Sequence, residues 1–133
     1  MSTPSQCPGT GEFSWNELIS NDTAGAKAFY TSLFGWQTEA FQGGTDYTLF
    51  KQGENMVGGL LQCPKPGVPS HWLPYVTVDD VDATAAQAKS LGAQVVMEPF
   101  DVPTVGRIAV LVDPQGAAMG LFKPRGQEPP PAS

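Results

Sequence analysis

Glu17 stands two residues after Trp15, and His71 stands four residues before Tyr75. Both spacings are even. On a β-strand, where side chains alternate between faces, an even spacing puts both members of a pair on one face. A carboxyl beside an indole is a recognisable chemical unit. An aromatic lining strips water from the carboxyl, which is one way a glutamate becomes a usable general base or acid. Glu17 is also read as an ordinary strand carboxylate, satisfied by a hydrogen bond or an ion pair. Tyr75 offers packing surface and a polar handle. His71 is the chain's single histidine. It lies beside a proline-rich stretch, where it is either exposed and locally bonded or turned toward a ligand. Glu17 and His71 together make only two donors, whereas a divalent site usually takes three or four at fixed geometry.

Other residues draw notice for what they lack or carry. Gly58, Gly59 and Gly120 fall inside expected strands, where a glycine costs about 0.5–1 kcal/mol relative to alanine. They mark bulges or bends, or they clear space for a ligand. Trp72 either caps the rim of a ligand cup or packs on the neighbouring connector. Arg107 is either solvated, paired with a carboxylate such as Asp101, or set against an anionic ligand group. The chain has no GxGxxG, Walker, GxSxG or HExxH pattern.

The elements that must position these residues come in two matching sets. A strand over 12–20 leads to a helix capped by Asn21 or Asp22, with Ala26, Phe29, Tyr30, Leu33 and Phe34 as its apolar stripe. Gly35 closes it in the manner of a left-handed cap. Strands are expected over 36–41, 46–52 and 56–62. A connector over 64–70, with Pro64, Pro66 and Pro69, excludes helix and interior strand. The series then restarts: a strand over 71–79, a helix capped by Asp80 and closed by Gly92, and strands over 93–100, 107–113 and 117–123. Asp113–Gly116, DPQG, is the turn between the last two. Asp22 and Asp80 are 58 residues apart, and Gly35 and Gly92 are 57 apart. Each half therefore reads β-α-β-β-β. A flexible start covers 1–11, module one 12–63, module two 71–124, and a proline-rich disordered tail 125–133.

A chain of 133 residues is long enough to bury one real core. Its net charge of −6, with no basic stripe, lacks the footprint of a nucleic-acid binder and suits an anionic membrane surface poorly. No apolar run reaches the roughly 18 residues of a spanning helix. The first residues show neither a basic segment nor an apolar one of the kind a secretory leader needs, so the expected location is the cytoplasm. Cys7 and Cys63 do not make a disulfide framework.

The stretches WNEL–ND–A–AFYTSLFGW over 15–36, PYVTVDDVDA over 74–83 and GRIAVLVDPQGAAMGLFKP over 106–124 resemble the vicinal oxygen chelate superfamily, which includes glyoxalase I, extradiol dioxygenases, and bleomycin- and fosfomycin-resistance proteins. The resemblance covers residues 12–124. It implies an α+β fold of two βαβββ modules forming a cupped mixed sheet, a small-molecule pocket and, often, a homodimer. It also implies a divalent ion held in the family's enzymes by the first and last strands of each module. Carried over, those four positions are Glu17, Gly59 (or Gly58, one residue off), Tyr75 and Gly120. One carboxylate, one phenol and two glycines are a poor ligand set.

The expectation is a small-molecule-binding protein that needs no metal and no other cofactor. It would hold a planar or aromatic ligand among Trp15, Glu17, Gly59, His71, Trp72, Tyr75, Arg107 and Gly120. The alternative is a glyoxalase-like lyase, isomerase or hydroxylase-type enzyme with Glu17 as its base or single surviving ligand, and Tyr75 as the partner for a developing oxyanion.

Overall fold

In the computed structural model, residues 10–40, 47–102 and 105–125 are described. They carry eight strands and two helices. In chain order these are β1 (Phe13–Ser20), α1 (Thr23–Phe34), β2 (Gln37–Ala40), β3 (Thr48–Gln52), β4 (Asn55–Gln62), β5 (His71–Thr77), α2 (Val81–Ser90), β6 (Gln94–Val102), β7 (Gly106–Val112) and β8 (Ala118–Pro124). The α+β class and the twofold βαβββ order agree with the sequence reading. Cys7 and the expected strand residues Phe41 and Asp46 lie outside the described residues, as does most of the expected start and tail.

The chain divides into two compact units. One is Trp15–Leu73, and the other joins the stretch up to Ser14 to the chain from Pro74 onward. In the first, the strand order is β2-β3-β4-β1, with β1 and β4 parallel and the other pairs antiparallel. In the second, the order is β5-β8-β7-β6, with β5 and β8 parallel. The boundary differs from the sequence reading at both ends of module one. Gly11 donates its N–H to the Thr77 carbonyl at 2.8 Å, and the Thr77 N–H reaches the Glu12 carbonyl at 2.9 Å, so this stretch is tied to the second unit. The connector belongs to the first unit. Asn21 donates through Nδ2 to the Val68 carbonyl at 2.8 Å and through its backbone N–H to Ser70 Oγ at 2.9 Å.

Local chemistry sets the helix ends. Asp22 and Asp80 each accept a backbone N–H of the first turn, from Gly25 at 2.9 Å and from Ala83 at 3.0 Å. Gly35 ends α1 at φ 74°, the left-handed conformation a glycine enters without steric cost. In the DPQG turn, Asp113 Oδ1 accepts the N–H groups of Gln115 and Ala117, both at 2.9 Å. That fixes the β7–β8 hairpin.

The two helices bury very different amounts. Val81 and Ala85 of α2 are buried with Val78, Ala109, Leu111 and Leu121 in one apolar cluster. No residue of α1 is buried. Its stripe is narrower than expected: Ala26 and Tyr30 pack on Leu18, Phe50 and Leu60. Phe29 and Leu33, both 57% exposed, face outward with Phe34. Tyr30 anchors α1 through rings. Its centroid lies 5.9 Å from Trp36, 6.1 Å from Phe50 and 5.4 Å from Trp72.

Candidate functional site

The four positions singled out in the sequence meet in pairs, one pair per unit. In the first unit Glu17 is the register partner of Gly59 across the parallel β1–β4 pair. In the second, Tyr75 is the register partner of Gly120 across the parallel β5–β8 pair. Both pairs join the first strand of a βαβββ unit to its last.

The space beside each glycine is filled by a tyrosine. A Cβ on Gly59 would collide with the Tyr47 hydroxyl and then with the ring carbons behind it. A Cβ on Gly120 would collide with the edge of the Tyr75 ring. Neither glycine opens a void, and each lets an aromatic side chain lie flat against the strand. Gly58 is different, since a Cβ there would come 2.8 Å from the Asn16 carbonyl oxygen, a backbone approach only glycine permits.

Tyr47 is the residue that the sequence reading missed. Its hydroxyl donates to Glu17 Oε1 at 2.9 Å and accepts the Trp15 indole N–H at 3.0 Å. The direction of both bonds follows from the donors available. An indole can only donate, so the phenol oxygen accepts there and sends its own proton to the carboxylate. Burial first, and the Glu17 charge second, push the Tyr47 hydroxyl far above its ordinary 10.0, while the Trp15 bond pulls the other way. The phenol therefore stays neutral across ordinary pH. Trp15, Glu17 and Tyr47 are each half-buried. A signal for Tyr47 did exist. Leu49 is the register partner of Gly59, and Tyr47 sits two residues before it on the same strand face. That is the diagonal cross-strand position from which a long aromatic side chain reaches over a glycine.

Trp72, His71 and Arg107 are held by partners of their own. Trp72 belongs to the helix side of the first unit, donating through its indole N–H to Tyr30 Oη at 3.2 Å. Its even numbering on β5 sets it on the face opposite Tyr75. His71 donates through Nδ1 to the Pro69 carbonyl at 2.8 Å, a local bond within the connector region. Arg107, in the second unit, is held by Asp82 through Nε at 2.7 Å and Nη2 at 2.9 Å, and by Asp101 through Nη1 at 3.1 Å. These bonds hold the Asp82 carboxyl below its ordinary value and the guanidinium above its own. The cluster borders an open cleft of about 450 Å³, lined also by Asp79, Lys123 and Arg125. Tyr75 is buried, at 3% exposure.

Residues 13–120 match the model of the Glyoxalase/Bleomycin resistance protein/Dioxygenase superfamily. The chain belongs to this superfamily. Among its relatives, the protein named "Putative glyoxylase CFP32" of Mycobacterium bovis is 46% identical over 121 residues, which is 90% of this chain and 46% of that protein. The anthracycline biosynthesis protein DnrV of Streptomyces peucetius is 33% identical over 129 residues, 85% of this chain and 47% of that one. The chain thus spans about half the length of the curated relatives it matches. The Mn(II)-bound glyoxalase from Novosphingobium aromaticivorans shares the fold at a TM-score of 0.59 and 22% identity, over 86% of this chain and 39% of that one. That glyoxalase has Mn(II) bound. The glyoxalase-superfamily chain described here gathers no group of three His, Cys, Asp or Glu side chains suited to a metal ion among its described residues. No helix among them is long and apolar enough to cross a membrane.

Proposed function

We propose that this glyoxalase-superfamily protein is a metal-independent binder of a small planar or aromatic molecule, which it meets at Glu17 on the β1–β4 pair. One observation carries the reading. The place where a side chain at position 59 would stand holds the neutral Tyr47 hydroxyl, bonded to the one carboxylate of the pair. Glu17 and a phenol that keeps its proton are a poor donor set for a divalent ion, which usually takes three or four anionic or imidazole donors. In the second unit the matching place holds the edge of a buried ring, which offers no donor atom. The residues present do not fit the ion that the fold family implies. The proposal includes a homodimer, on the family resemblance.

The test is metal analysis of the purified protein, with thermal shift against Mn²⁺, Zn²⁺ and Ni²⁺. We expect no stoichiometric metal and no saturable stabilisation. A bound ion that Glu17→Gln removes would overturn the reading and favour an enzyme with Glu17 as ligand.

A further inference from the structure

We infer that Trp15, Glu17 and Gly59 form a subsite for a phenolic hydroxyl, occupied in this structure by the protein's own Tyr47. The inference deepens the binding function proposed above and rests on it for the location of the ligand.

The chemistry of the cradle is selective. Trp15 offers one donor and no acceptor, and the Glu17 carboxylate offers acceptors only. A group seated between them must accept from the first and donate to the second, as the Tyr47 hydroxyl does at 3.0 and 2.9 Å. A carboxylate has no proton for Glu17 and would meet like charge. An ammonium has no lone pair for the indole. A hydroxyl meets both demands. The form of the space adds the ring, because the missing Cβ of Gly59 leaves room for the hydroxyl and also for the ring carbons attached to it. The cradle thus fits a neutral hydroxyl on a flat carbon frame, a phenol.

Tyr47 is placed to leave. It directly precedes β3, whose pairing with β2 and β4 begins at Thr48. Its side chain can swing without breaking a ladder hydrogen bond. Trp15, Glu17 and Tyr47 keep part of their surface in solvent, and Gly59 beneath them is buried. Tyr75 contrasts on both counts, being paired within β5 and buried. A ligand bearing a phenolic hydroxyl would take the two hydrogen bonds that Tyr47 makes to Trp15 and Glu17.

The experiment is chemical complementation in chelator-treated buffer. In the Tyr47→Ala protein, p-cresol restores the missing group, and its binding is read by calorimetry and thermal shift. Binding is expected to be about tenfold tighter than to Tyr47→Ala/Gly59→Ala, in which the added Cβ stands at the hydroxyl position, since one hydrogen bond to a charged group is worth at least that factor. Toluene, which has the ring without the hydroxyl, should give no comparable stabilisation. Equal effects of toluene and p-cresol, or indifference to Gly59→Ala, would overturn the assignment. Where Tyr47→Ala does not fold, the probe is the Trp15 indole N–H resonance, identified through Trp15→Phe. It should move in Tyr47→Phe and respond to p-cresol at lower concentration there than in the wild-type protein. No movement, or identical titrations, would overturn the assignment as well. Metal content of the same samples reports separately on the metal-independent reading, so the two ideas fail by different measurements.

Discussion

The β1–β4 and β5–β8 pairs share one plan and end in opposite states. Each sets a polar or aromatic residue of a first strand against a glycine of a last strand, and each covers that glycine with tyrosine. In the β5–β8 pair the tyrosine is the register partner itself, and its ring edge lies on Gly120 in a buried setting. In the β1–β4 pair the partner is Glu17, and the covering tyrosine comes from the strand next door, hydroxyl first, in half-open surroundings. One register thus yields a closed packing joint in one case and a polar, half-buried cradle in the other. Whether the cover arrives by its ring or by its hydroxyl decides which of the two forms.

The comparison breaks most visibly at Gly120. Gly120→Ala drives a methyl into the Tyr75 ring, and overpacking of a filled interior costs about 1–3 kcal/mol. Denaturant unfolding should show it as a lower midpoint with an unchanged slope. If the loss is negligible, the β5–β8 joint is not closed.

The next effect sharpens the other side. Tyr47→Phe should cost about 1–2 kcal/mol through its lost hydrogen bonds. Gly59→Ala also meets the ring carbons behind the hydroxyl, so it should remain costly in the Tyr47→Phe background. Tyr47 also marks the pair by pH. A phenol whose folded pKa is raised contributes stability that is complete below the unfolded value, 10.0, and is lost as pH rises above it. Wild-type stability should therefore fall from about pH 10 upward. Tyr47→Phe should show a shallower fall, and parallel curves would contradict the buried, bonded phenol.

The smallest effect separates the helices. Phe29 on α1 is 57% exposed. Phe29→Ala should change stability by no more than about 0.5 kcal/mol, as surface substitutions do. A larger loss, read from the same unfolding curves, would show that the outer face of α1 is covered in solution.

Much of the fold was legible in the residue order because its signals are local. Asp22 and Asp80 as caps, Gly35 as a left-handed stop and DPQG as a turn each act through hydrogen bonds or φ angles within a few residues. The repeat of caps at a constant offset also carried over, with Glu17 facing Gly59 and Tyr75 facing Gly120. The stripe on α1 was read too broadly, since periodicity says which residues share a face and not how much of that face a neighbour covers. Trp72 and Arg107 were open choices in the sequence for the same reason. Their partners, Tyr30 and Asp82, are 42 and 25 residues away.

The sequence by itself determined the doubled βαβββ order, the ends of its helices and the identities of the residues at the four strand positions, because each follows from the chain's immediate neighbours or from its period. Only the tertiary structure decided what fills the glycines. A side chain missing from one strand creates space that any adjacent strand can enter, and the pairing of β3 with β4 brought Tyr47 within reach of both Glu17 and Trp15.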